Sequence, residues 1–236
     1  MMTYEEVISQ LKSMGNETTA RLYDNREMTL EIFGVKVGDI KKIQKKIKKD
    51  HDLSLALYQS GIYEAMYLAG LIADEGRIQR STLDLWARQS GSYLIAEYTV
   101  PWVASETEFG LELALKWIED KEDLVKAAGW SCLTNIVMIT QDDNLDHDLL
   151  AGLLKRVLDR IHQADNRERY TMNGFVIGLA ASYKPLLDEA KAAAQAIGRV
   201  EVYMGKTACK VPYAPDYIKK IEDKGYIGRK KKHARC

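Results

Sequence analysis

Apolar residues recur along this chain at steps of three and four, the period of a helix that buries one face. From Tyr4 to Met14, Val7, Ile8 and Leu11 share a face; from Val37 to Lys49, Ile40, Ile43 and Ile47 do, with lysines over most of the rest. The same spacing predicts helices over 64–74, 78–89, 106–119, 121–139, 146–163, 167–183 and 185–197. No sustained two-residue alternation marks a half-buried strand. Breaks fall where helix breakers stand. Gly61 follows Tyr58 to Ser60, Gly76 follows Asp74, and Asp142 to Asn144 is a polar turn. Asp165 and Asn166 are placed to cap the helix after them.

Helices recur about every 20 residues and pairs of them about every 40, the period of stacked helical hairpins. The expected fold is all-α: HEAT/armadillo-like helical repeats forming a curved α-solenoid. The repeat lies in the spacing alone, since no sequence motif repeats cleanly. A compact orthogonal bundle is the competing arrangement. Residues 1–199 are assigned to the solenoid and 200–236 to a C-terminal extension. There, Val200, Val202 and Tyr203 suggest a short extended piece, 214–224 a further helix, and the chain ends in RKKKHARC. That basic tail is expected to be mobile, because nothing apolar anchors it after Ile227.

Composition narrows the function. The chain has 236 residues, 34 Lys plus Arg and 34 Asp plus Glu, so its formal net charge is zero. No global field draws it to nucleic acid or membrane, and any such attraction has to come from local patches. Cys132, Cys209 and Cys236 are odd in number and widely spaced, which gives neither a disulfide framework nor a CxxC pair. The opening MMTYEEVISQ does not read as a signal peptide, and no apolar run approaches the roughly 20 residues of a membrane span. The expectation is a cytoplasmic, soluble monomer with no membrane partner. His51, His147, His162 and His233 are isolated, a thiol site from Cys209, Cys236 and His233 would be fortuitous, and glycine-rich phosphate loops are missing. No metal and no cofactor are expected.

Candidate chemistry concentrates in 83–103, LDLWARQSGSYLIAEYTVPWV. Glu97 is the one charge between Ser92 and Val103. An ionised carboxylate in apolar surroundings is costly unless something pairs with it or uses it. Tyr93 stands one helical turn before it. Lys41, Lys42, Lys45, Lys46 and Lys49 flank an isoleucine stripe and are either a solvated face or a phosphate-binding patch. Arg229, Lys230, Lys231 and Lys232, with Arg235, form a second cluster, either a solubilising tail or an arm following phosphates. Trp86, Trp117 and Trp130 read as core wedges; Trp102 and Tyr93 could face a ligand.

The chain resembles the DNA alkylation repair family, the HEAT-like 3-methyladenine DNA glycosylases. The likeness is carried by Phe33-Gly34-Val35 before the lysine-rich helix, by Leu85-Trp86-Ala87-Arg88 followed by Ser92-Tyr93 and Glu97, and by Lys116-Trp117-Ile118 before Val125-Lys126-Ala127-Ala128-Gly129-Trp130. The resemblance covers roughly 1–197 and rests on the order of these segments. It implies a curved helical stack that holds DNA in a basic cleft and removes cationic N3- or N7-alkylated purines. Glu97 and Tyr93 then match the family's catalytic aspartate and the tryptophan four residues before it. The family's phosphate-binding arginine falls on Ala127, with Lys126 beside it, and a further cleft tryptophan falls near 175–177, where there is none. These departures keep two alternatives open beside the glycosylase: a non-catalytic relative binding damaged or branched DNA by shape, and a helical-repeat scaffold for proteins.

Overall fold

A computed structural model describes residues 2–24 and 28–235. Thirteen α-helices occupy these residues in the order α1 (Tyr4–Met14), α2 (Glu17–Asp24), α3 (Val37–Ile47), α4 (His51–Gln59), α5 (Tyr63–Ile72), α6 (Arg80–Arg88), α7 (Val100–Ala104), α8 (Gly110–Trp117), α9 (Asp123–Ile139), α10 (His147–Arg160), α11 (Asn166–Ser182), α12 (Leu187–Ile197) and α13 (Ala214–Asp223). Consecutive hairpins stack into a curved α-solenoid. No strand forms among the described residues; Val200 to Tyr203 is irregular.

Local chemistry sets the ends. Thr3 and Glu6 close a capping box at the start of α1, each side chain bonding the other's backbone N–H. Asp50 and Asp146 cap α4 and α10 by accepting from Leu53 and Leu149. Three helices lie outside the predicted set: α2, α4 and the five-residue α7. In α2 only Thr19 and Tyr23 are buried, too narrow a stripe to see in sequence. In α4, Leu53, Ser54, Leu57 and Tyr58 are buried over a short nine-residue helix.

The layers differ in how much they bury. α5, α9 and α11 form an inner layer with the 95–104 segment between α5 and α9, and α13 continues it beyond α11. α5 is buried along its whole length and α11 along most of it, buried polar residues included, because both are covered on more than one side. The outer helices α6, α8 and α10 are amphipathic and joined by a ladder of ion pairs one hairpin apart. Arg80 bonds Glu112, Lys116 and the Trp117 indole N–H both bond Asp84, Arg88 bonds Asp120, and Arg156 bonds Glu119. Such exposed pairs contribute little each. Each links one hairpin to the next.

Trp86, Trp117 and Trp130 are core residues, as read from the sequence. Tyr58 stacks on Trp86 with ring centroids 4.0 Å apart and donates its hydroxyl hydrogen to the Trp86 carbonyl at 2.6 Å. Phe33-Gly34-Val35 also has a definite job. The backbone N–H groups of these three residues converge on the fully buried Glu64 carboxylate at 3.0, 2.7 and 3.0 Å. Gly34 turns there with φ of 80°, a region that favours glycine.

The basic tail corrects the sequence expectation. It is not a mobile arm. Ala234 is 4% exposed within the core cluster, and the residues around it are hydrogen-bonded to three separate parts of the body.

Candidate functional site

The site forms where the inner layer departs from regular helix. Residues Ile95–Thr99 make a π-turn with Glu97 at its centre, and Val100 donates to the Ile95 carbonyl across five residues. Pro101 explains it. In a regular helix its ring would collide with the carbonyl four residues earlier, which belongs to Glu97, and it has no N–H to offer. Widening by one residue relieves the clash. π-turns of this sort frequently mark functional positions.

Glu97 is 5% exposed. Its carboxylate meets Arg167 of α11, whose Nε donates to Oε1 at 2.6 Å. The guanidinium lies between two phenol rings, 4.0 Å from the Tyr93 centroid and 4.4 Å from that of Tyr170, both within cation–π range. Its Nη1 reaches the Met204 sulfur at 3.4 Å. The backbone N–H groups of Arg167 and Glu168 are taken by the Asp123 carboxylate at 2.7 to 3.0 Å, so an acid at the start of α9 caps α11. The structure therefore brings Tyr93 and Glu97 together as the sequence expected, around an arginine that sequence reasoning missed.

Electrostatics at Glu97 are unbalanced. Burial pushes its carboxyl up to about 7, against the opposing charge and hydrogen bond of Arg167; Asp123 adds to the rise. Only Oε1 is served by the arginine, and Oε2 is buried with no hydrogen-bond partner. Beside the carboxylate is a cavity of about 240 Å³ bordered by Tyr98, Trp102, Asn135, Tyr170 and Asn173. Its other wall is C-terminal. Pro212, Lys231 and Ala234 border it, and Asn173 donates to the Pro212 carbonyl at 2.9 Å. Met204 lies against the guanidinium, and Asn166 holds the preceding residue, Tyr203, through both its backbone groups.

The remaining candidates are scattered. Lys126 is not available to a phosphate as expected: it is 15% exposed at its side chain and ion-paired with both Asp165 and Glu168. Ala127 is fully buried, so no phosphate contact arises where the family's arginine was expected. Phe175 is also core, packed on Trp130 with centroids 5.4 Å apart. On α3, Lys45 and Lys46 are exposed, Lys41 is half-buried and Lys42 pairs with Asp39 at 2.7 Å. Lys49 bonds Glu75, which Arg235 also reaches at 2.8 Å, so the two basic clusters meet on one carboxylate. Burial opposes ionisation of Glu75, but the bonds from Lys49 and from its own backbone, with the charge of Arg235, hold it below the usual carboxylate range. Arg229, Lys231 and Lys232 are exposed, and Lys230 is turned inward. Cys236 lies outside the described residues. Among the described residues no group of His, Cys, Asp and Glu is arranged to hold a metal ion, and no helix is long and apolar enough to cross a membrane.

Comparison with known proteins agrees with this picture. The chain is 31% identical over 231 residues to an uncharacterized protein of Listeria innocua serovar 6a and, at the same identity and length, to one of Listeria monocytogenes serovar 1/2a; each alignment covers 95% of this chain and 99% of the relative. It is also similar, with a TM-score of 0.91, 34% identity and full coverage of both chains, to a solved structure described as "a new family of proteins related to the HEAT-like repeat DNA glycosylases with affinity for branched DNA structures". Residues 7–190 match the family model described as DNA alkylation repair enzyme, and the chain belongs to that family.

Proposed function

We propose that this protein binds DNA by shape and backbone charge, as a member of the family that does not excise bases. One observation carries the reading. The acid matching the catalytic aspartate is buried, bound by an arginine clamped between two tyrosines, and roofed by C-terminal residues. Electrostatic catalysis needs a carboxylate aimed at the place where charge develops. Glu97 is aimed at Arg167 instead, 2.6 Å away. The departures at Ala127 and near 175–177 agree, since Ala127 and Phe175 are core residues and no tryptophan stands there. The related structure's affinity for branched DNA supports the choice of ligand. The lysines at 41, 42, 45, 46 and 49, on and just after α3, together with basic residues of the tail, then supply phosphate contacts without reading sequence.

The excising alternative draws on one feature, the unpartnered Oε2 beside the cavity. An acid free to stabilise a cationic sugar would need that oxygen exposed to DNA, which requires the C-terminal roof to leave. The experiment offers methylated duplex DNA and, separately, linear and four-way branched DNA over a range of salt. Salt-sensitive retardation of branched DNA with no release of N3- or N7-methylpurines is the expected result. Release of either base overturns the non-excising reading, and Glu97→Gln then shows whether Glu97 is the acid responsible.

A further inference from the structure

The C-terminal segment crosses the inner layer from one side to the other. After α13, Gly228 donates its backbone N–H to the Ala181 carbonyl of α11 at 2.7 Å, and Lys231 donates to the Met138 carbonyl of α9 at 2.8 Å. The Lys230 ammonium donates to the Val137 carbonyl at 2.9 Å and forms an ion pair with Asp142 at 2.8 Å. Ala234 donates to Glu106 at 2.7 Å. Arg235 finishes the crossing at Glu75, beyond α5.

Within this strap the side chains divide into two sets. Lys230, Ala234 and Arg235 point into the body. Arg229, Lys231, Lys232 and His233 are exposed. Both inward cations pair with acids, Lys230 with Asp142 and Arg235 with Glu75, and those acids change the sign of the face. Without the strap, Glu106 and Asp142 would stand uncovered and Glu75 would keep only Lys49, a face that repels a polyanion. With it, five basic side chains at 229, 230, 231, 232 and 235 stand against three carboxylates. A chain of zero net charge thereby acquires a locally positive strip over its inner layer.

We propose that residues 228–235 are the phosphate-contacting strip of the DNA site. Arg229, Lys231 and Lys232 take backbone phosphates. Lys230 and Arg235 are positioning residues that contact no DNA and hold the strip against Asp142, Glu106 and Glu75. The inference rests on the DNA-binding reading above and adds which residues form the contact and which acids build it.

The arrangement has a test in which simple electrostatics and the strap predict opposite signs. Removing a negative charge from a protein that binds a polyanion ordinarily tightens binding. Here Glu106→Gln and Asp142→Asn remove acids that hold the strip, so both are expected to weaken branched-DNA binding several-fold at about 0.15 M salt. Lys231→Ala and Lys232→Ala are each expected to weaken it to a similar degree and to flatten the slope of log affinity against log salt by about 1 for each phosphate no longer neutralised. Amide hydrogen exchange of Lys231 and Ala234 is read alongside. Both are protected in the wild type and released in Glu106→Gln, while a thermal melt shows that the body stays folded. Two results overturn the strip: tighter or unchanged binding by both acid variants, or undiminished binding by Lys231→Ala and Lys232→Ala together. Wild-type protein that binds no DNA even at low salt overturns the DNA-binding reading instead, so the two failures are distinct. Asp142→Asn, on a polar turn, stands in should Glu106→Gln not fold.

Discussion

Arg167 brings Nε and Nη2 each to 2.6 Å from a single oxygen of Glu97 and leaves the other oxygen buried without a hydrogen-bond partner. Only half of the carboxylate is solvated by its cation, which is why burial outweighs the pairing. The imbalance gives a stability change with a defined sign. The folded protein keeps the Glu97 proton up to about 7, whereas a solvated glutamate releases it near 4.5. The folded form therefore binds more protons in between. The stability contributed is full below about 4.5 and is lost as pH rises through about 7. Urea unfolding at pH 5 and pH 8 should show wild type losing more stability over that interval than Glu97→Gln. A wild type that gains relative to the variant would mark Glu97 as an ordinary ion-paired acid.

Asp123 both caps α11 and raises the Glu97 carboxyl. Asp123→Ala should cost about 1 to 2 kcal/mol, the usual loss of a helix cap, and should lower the Glu97 titration point. Calorimetry reads the first effect. Carbon-13 NMR titration of the Glu97 carboxyl reads the second, and an upward movement would refute the assigned cause.

Glu64 gathers three backbone N–H groups from the 33–35 turn. Glu64→Gln keeps one acceptor oxygen and places an amide N–H₂ against donors. A loss of about 3 kcal/mol is expected from stranding buried donors that had a charged acceptor. A change below about 0.5 kcal/mol in the urea midpoint analysis, well under the range for such bonds, would show that the turn finds other partners.

Two glycines on helices should respond to alanine in opposite directions. A methyl at Gly129 would stand 2.8 Å from the Ile118 nitrogen and 2.9 Å from the Ala114 carbonyl oxygen, so α8 and α9 would have to part. Overpacking of about 1 to 3 kcal/mol exceeds the gain of roughly 1 kcal/mol in helix propensity. Gly152 on α10 is exposed with nothing within 4 Å of the added carbon, so only the propensity gain remains. Thermal melts should move down for Gly129→Ala and up for Gly152→Ala.

The helical period made most of this fold legible in sequence. α1 and the second half of the chain, from 121 to 197, lie close to their predicted bounds because each carries a long apolar stripe. α2 escaped for want of such a stripe. Glu97 was legible because an isolated charge in an apolar run demands a partner. The partner was not, since Arg167 is 70 residues away and sits among other charges in NRER, where nothing local marks it. The tail showed its charge and hid its attachment for the same reason. Its anchors on Asp142, Glu106 and Glu75 come from turns far upstream, with Glu75 160 residues before Arg235.

The Arg235–Glu75 bond has a consequence for how the molecule comes into being. A stack of hairpins can build up from its first-made end, each unit settling on the one before. During synthesis Glu75 and Glu106 are complete long before their cation has been translated. Closure across the stack must wait until Arg235 clears the ribosome, and a chain stopped before Arg229 would leave Glu106 and Asp142 without the strap that covers them.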